Sequence, residues 1–150
     1  MTMKILYGVG PQDVKGYDTE RLRAEFLVED LFRPDAVSFT YTHVDRLILG
    51  GAVPVSKTLE FGSGEDIGTS HLLSAREMGI ANLGGPGTIT VDGQSFDLNN
   101  RDVLYVGRGA RALTASSVSA ERPARFYMNS VPAGTNVPHR LITQAESKPL

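Results

Sequence analysis

From Ala36 onward the chain is divided into short runs rich in β-branched and aromatic residues, with Gly, Pro, Asp or Asn between them. That rhythm constrains the fold more than any other feature. The runs fall at 37–42, 46–49, 57–61, 80–83, 88–91, 95–98, 103–106 and 126–131. Their spacing is mostly about 8–12 residues, as expected of an antiparallel sandwich or small barrel, whereas a parallel α/β fold needs helix-length segments between strands. The 16 glycines and 8 prolines in 150 residues supply the turns. One hairpin is explicit. Asp92-Gly93 suits the positive φ angles of a two-residue type I′ turn. It sets Ile89 opposite Phe96 and Val91 opposite Gln94, with the Thr90 and Ser95 hydroxyls on the other face. Ahead of the strands, Leu22 and Phe26 stand four apart with Asp18 or Thr19 available as an N-cap, which predicts one short amphipathic helix over 18–28.

The remaining composition excludes more than it selects. With 41% hydrophobic and 21% charged residues and a net charge of −2, the chain reads as a single soluble domain with no field to draw nucleic acid or anionic lipid. There is no cysteine, so thiolate chemistry and Cys-ligated metals are excluded. The first ten residues lack the apolar core of a secretory signal, and no window reaches the ~20 apolar residues of a membrane span. The expectation is a cytoplasmic protein with neither nucleic acid nor membrane as partner. Residues 143–150 are polar and read as a linker without a closing strand.

Three histidines, His43, His71 and His139, stand alone, and none belongs to an H-x-H, H-x-x-x-H or H-E-x-x-H pattern, so a local metal site is not expected. In Tyr41-Thr42-His43-Val44-Asp45-Arg46, His43 and Asp45 share strand parity. On a continuous strand they would face the same way and could act as a base with its orienting carboxylate; the plainer reading is a polar strand face or a turn. Gly84-Gly85-Pro86-Gly87 leads into the hairpin and not into a helix, so it reads as a turn and not as a phosphate loop; positive φ there would account for its glycines. Bases in the second half of the chain are nearly all arginine: Arg76, Arg101, Arg108, Arg111 and Arg125 among them. Guanidinium forks suit the carboxylates of sugar acids, but scattered arginines are more often solvated or bridged to Asp or Glu.

Several blocks, in order, carry a resemblance. These are Leu22-Arg23-Ala24-Glu25-Phe26-Leu27-Val28-Glu29; Tyr41 to Arg46 with Gly50-Gly51 and Pro54; Asn82-Leu83-Gly84-Gly85-Pro86-Gly87 through Gln94; Arg101-Asp102-Val103-Leu104-Tyr105-Val106-Gly107; and Phe126-Tyr127-Met128-Asn129 with Pro132-Ala133. Together they resemble the first half of 5-keto-4-deoxyuronate isomerases, over nearly the whole chain.

The resemblance implies an all-β, cupin-like antiparallel β-sandwich or jelly-roll barrel, with residues 1–142 as the N-terminal domain of a bicupin and 143–150 leading to a second cupin half. It implies a cytoplasmic, homohexameric ketol-isomerase that interconverts 5-keto-4-deoxyuronate and 3-deoxy-glycero-2,5-hexodiulosonate in pectin and uronate breakdown. The family's zinc, held by three His and one Glu, belongs to the second half, so no metal ligand or cofactor is expected in this chain, and this half alone should be inactive. Asn100 and Gly134 stand where relatives can have His. Aldose–ketose interconversion moves a proton next to a carbonyl while charge grows on oxygen. His43 and Asp45 are the candidates for a proton relay, and Arg46, Arg101 and Tyr105 for contacts to the uronate substrate. The alternative is a non-catalytic domain, structural or sugar-acid-binding, in which these residues knit the two barrels together; a homo-oligomer is expected.

Overall fold

The computed structural model describes residues 3–147. Two β-sheets enclose one core. The larger has seven strands in the order β1-β2-β3-β10-β5-β8-β11, and the smaller has four in the order β4-β9-β6-β7. In chain order the strands are β1 (Lys4–Leu6), β2 (Val37–Thr42), β3 (Leu47–Ala52), β4 (Leu59–Glu60), β5 (Arg76–Asn82), β6 (Gly87–Val91), β7 (Gln94–Leu98), β8 (Val103–Val106), β9 (Leu113–Ser117), β10 (Phe126–Pro132) and β11 (Arg140–Ile142). All named pairs are antiparallel except β1 with β2. This is the all-β, cupin-like sandwich that the strand rhythm and the resemblance point to.

Alternation places the core between the sheets. Along β5, Arg76, Met78, Ile80 and Asn82 are buried while the residues between them are half-exposed. Phe39, Ile48, Met78, Ile80, Leu104, Phe126 and Met128 of the larger sheet meet Ile89, Val91, Leu98, Leu113 and Ala115 of the smaller one. Burying apolar surface on this scale, at about 25 cal/mol per Å², is the main force holding the sheets together.

The 88–98 hairpin forms in the expected register, Ile89 opposite Phe96 and Val91 opposite Gln94. Asp92 (φ 48°) and Gly93 (φ 86°) both take the positive angles of the type I′ turn. The Asp92 carboxylate then reaches out to accept from the backbone N–H groups of Arg111 and Ala112, at 3.0 and 2.8 Å, fastening the turn to the entry of β9.

Two helices are present where one is expected. The longer, α2 (Thr19–Phe26), has Asp18 as its N-cap, accepting from Arg21 N–H at 2.9 Å. The additional α1 (Pro11–Val14) is a single turn opened by Pro11, a residue whose fixed φ suits the first helical position. Neither helix buries a residue. Three strands also escape the sequence pattern: β1 and β11 are three-residue edges, and β9 alternates Leu113 and Ala115 with Thr and Ser, too small and polar to register as a run. β11 pairs with β8 just before residue 143, and no strand follows it among the described residues. Beyond it, Gln144 N–H donates to Asp102 at 2.8 Å, so the chain stays tied to the domain as far as a short turn at Gln144–Glu146.

The Gly84-Gly85 loop is structural, for a different reason than positive φ. Both glycines have ordinary backbone angles. A Cβ on Gly85 would lie 1.9 Å from the Arg122 carbonyl oxygen, and one on Gly84 2.5 Å from Arg125 N. The loop is thus pressed against the chain leading into β10, and Asn82 locks it there: its Nδ2 donates to the Gly85 and Leu98 carbonyls, and its Oδ1 accepts from Gly84 and Arg125 N–H.

Candidate functional site

At one end of the larger sheet, the last residues of β2, the β2–β3 turn, the start of β5 and the end of β10 meet the segment 66–69. They bound a pocket of about 480 Å³ lined by Ile5, Tyr41, His43, Arg46, Asp66, Ile67, Thr69, Ala75, Arg76 and Pro132. It is the mouth of the sandwich, because Tyr41 and Arg76 sit on the inward-facing parity of their strands.

His43 and Asp45 do not share a strand. Residues 43–46 form the turn between β2 and β3, whose ends pair as Thr42 with Leu47. Asp45 (φ 54°) and Arg46 (φ 53°) are both left-handed. The parity that would have set His43 beside Asp45 is lost when the backbone reverses, so of the readings open in the sequence the turn is the one observed. Asp45 is exposed and outside the pocket lining. The His43 ring stacks on Tyr7 with centroids 4.9 Å apart and meets Tyr41 edge-on at 5.1 Å, and its backbone N–H donates to Leu6 carbonyl at 2.9 Å. The imidazole is held between two phenol rings at the pocket rim.

Arg76 is the residue that strand-pattern reasoning passed over. It is neither solvated nor bridged: it is 6% exposed, and the one ion pair among the described residues is Arg23 with Glu29. Its Nε donates to Ser130 Oγ at 3.2 Å, and Nη2 donates to the Ser130 carbonyl at 2.8 Å and to the Arg46 carbonyl of the turn. The guanidinium lies 5.8 Å from the centre of the Tyr41 ring. Burial pushes its pKa down; Tyr41 acts against that shift, and nearby Arg46 acts with it. The available signal was parity: Arg76 lies on the same strand face as Met78 and Ile80, and a cation on an apolar face asks for a reason.

The other candidates are elsewhere. Tyr105 lies on the outer face of the larger sheet, its hydroxyl donating to Glu77 at 2.7 Å, and that hydrogen bond raises the phenol pKa. Arg101 is exposed in the β7–β8 turn with φ 71°, its backbone N–H donating to Asn82 carbonyl. The departures at 100 and 134 have local duties: Asn100 Nδ2 donates to Gly84 carbonyl at 3.0 Å, and Gly134 carbonyl accepts from Arg108 at 3.1 Å. His71 bonds Ser70, and His139 Nδ1 accepts from Gly107 N–H. Among the described residues no three His, Asp or Glu side chains converge as a zinc site would require. No helix among the described residues is long and apolar enough to cross a membrane.

Comparison with known proteins adds identity to this geometry. Residues 27–149 match the family described as KduI/IolB. A 4-deoxy-L-threo-5-hexosulose-uronate ketol-isomerase of Yersinia enterocolitica is 45% identical over 149 residues, 98% of this chain and 54% of the relative. One from Lachnoclostridium phytofermentans is 46% identical over 140 residues, 93% of this chain and 51% of the relative. The chain thus spans about half the length of the curated relatives it matches. Among solved structures, Escherichia coli Ylba is similar with a TM-score of 0.49 and 12% identity, over 68% of this chain and 40% of that one. The Schizosaccharomyces pombe Cnp3 cupin domain is similar with a TM-score of 0.47 and 15% identity, over 65% of each chain.

Proposed function

The chain belongs to the KduI/IolB family, and from that premise we propose that it is the N-terminal half of a ketol-isomerase interconverting 5-keto-4-deoxyuronate and 3-deoxy-glycero-2,5-hexodiulosonate. The observation that carries this reading is 45% identity sustained over 98% of the chain with an enzyme of that name. Identity at that level along the whole chain is a far more specific signal than a shared glycine loop.

The reaction removes a proton from a carbon beside a carbonyl and returns one to its neighbour while negative charge builds on oxygen. A zinc ion, when bound, would supply Lewis-acid stabilisation of that charge; with no converging donor set among the described residues, we assign its ligands to the rest of the protein. The role we assign to this half is to hold and orient the sugar acid at the sandwich mouth. His43, clamped between Tyr7 and Tyr41, offers an imidazole whose plane is preset. Arg46 stands on the same turn and faces the same pocket. Asp45, Arg101 and Tyr105 lie outside that lining, and as contacts they would belong to a surface shared with the remaining half.

The complete protein, given 5-keto-4-deoxyuronate and followed by NMR, should form the 2,5-diketo product. Substituting His43→Gln should lower turnover by about 10²-fold, the scale of one positioned proton-transfer group. No conversion by well-folded complete protein would overturn the reading. A second reading, assembly through this domain, is favoured by one observation: Leu22 and Phe26 project from α2 at 39% and 51% exposure.

A further inference from the structure

We propose that the sandwich mouth is a binding site for a small carboxylate, seated on the inner guanidinium of Arg76, with neighbouring Arg46 also lining the pocket. The inference rests on reading this half as the holder of a sugar acid only for the choice of ligand body. A guanidinium in this setting selects a carboxylate whatever the reaction.

The geometry leaves one group of Arg76 uncommitted. Nε and Nη2 are taken up by Ser130 and the Arg46 carbonyl. Nη1 makes no hydrogen bond among the described residues. No buried side-chain nitrogen or oxygen there is left unpaired, so Nη1 is not sealed in; it opens onto the pocket that Arg76 lines. All of its protein acceptors are neutral, which leaves a full positive charge in a residue that is 6% exposed, and such a charge is costly without a counter-ion. Asp66 also lines the pocket, yet its Oδ2 accepts from Met3 N–H at 3.0 Å, and it forms no ion pair with Arg76. Thr69 lines the pocket with its hydroxyl already donated to the His71 carbonyl at 2.9 Å, and Ile5, Ile67, Ala75 and Pro132 make the walls apolar. The site therefore fits a carboxylate on a compact body with few charges of its own. Phosphate monoesters, bearing about two negative charges, would place the second against Asp66.

A carboxylate could come from a free sugar acid or from an Asp or Glu of the remaining half; we assign the free ligand. The test is calorimetric titration of the complete protein with D-galacturonate and with D-galactose, in wild type and in Arg76→Lys, together with crystals soaked in galacturonate. Galacturonate should bind and galactose should not. Arg76→Lys, which keeps charge but loses the fork, should weaken that binding about 10- to 100-fold. Density for the ligand carboxylate should lie within hydrogen-bond reach of Arg76 Nη1, an outcome that needs no variant to fold. Unchanged binding in a folded Arg76→Lys variant, or a protein carboxylate occupying Nη1, overturns the proposal. Loss of isomerase turnover with galacturonate still on Arg76 would refute the isomerase reading and leave this one standing; normal turnover with Nη1 empty after the soak would do the reverse.

Discussion

Replacing Asn82 with Ala should be among the most damaging single changes in this chain. Its side chain is fully buried and makes four hydrogen bonds to backbone: two donated, to Gly85 and Leu98 carbonyls at 2.8 and 2.9 Å, and two accepted, from Gly84 and Arg125 N–H at 3.0 and 3.2 Å. A typical hydrogen bond contributes about 1 kcal/mol net, and stranding its buried partner costs about 1–3 kcal/mol. Water entering the vacated space relieves part of this, so the expected loss is about 3–5 kcal/mol. Set against a total stability of roughly 5–15 kcal/mol, that is a large share. With a urea slope of about 2 kcal/mol/M, the unfolding midpoint should fall by about 1.5–2.5 M. Asn82→Asp separates shape from hydrogen bonding, since it keeps the outline but aims an oxygen at two carbonyls. It should lose at least as much as Ala. Asn100→Ala, which removes one exposed bond to Gly84, should lose less than about 0.5 kcal/mol. A midpoint within 0.5 M of wild type, by about the same slope, for Asn82→Ala, or a near-native Asn82→Asp, would refute the view that this side chain holds the 84–85 loop.

Gly93→Val forces a β-branched residue to φ 86° and should cost about 1–3 kcal/mol, visible as a lower thermal midpoint; no change would mean that the turn relaxes to another type. At Gly51 a Cβ would fall 2.1 Å from the Leu31 carbonyl oxygen, so Gly51→Ala should displace the 27–34 strap from the larger sheet, with faster amide exchange in β3 as the readout. Asp35, whose carboxyl accepts from Ser56 Oγ and from the N–H groups of Ser56 and Val55, is held at a pKa of about 2. Because the folded value lies below the unfolded one, its stabilising effect is complete above about pH 4 and is lost as pH falls toward 2. The stability gap between wild type and Asp35→Asn should therefore shrink over that window, and a gap constant with pH would contradict it. Leu22→Glu with Phe26→Glu should make association weaker in sedimentation if the α2 face is the contact; an unchanged distribution would move the contact elsewhere.

The strand runs, the 88–98 hairpin with its register and the Asp18 cap were legible in the sequence because each depends on residues close together in the chain. A period-two pattern, a two-residue turn with the right φ preference, and an N-cap are local events, and tertiary packing here reinforces them. What lay beyond local reading was decided by distant partners. β9 is a strand because β4 and β6 flank it, although Leu-Thr-Ala-Ser-Ser has little apolar signal of its own. The glycines at 84 and 85 are required by the Arg122 and Arg125 backbone pressing on them, which no local φ preference announces. Whether His43 and Asp45 share a strand face or sit in a turn could not be read locally, and the pairing of Thr42 with Leu47 makes 43–46 the turn. Arg76 looked like one more surface arginine until β10 brought Ser130, 54 residues away, against its guanidinium. Sequence alone determined the class of the fold, through periodicity. Only the closed sandwich decided the site, because a buried charge acquires its meaning from neighbours that the chain supplies across long separations.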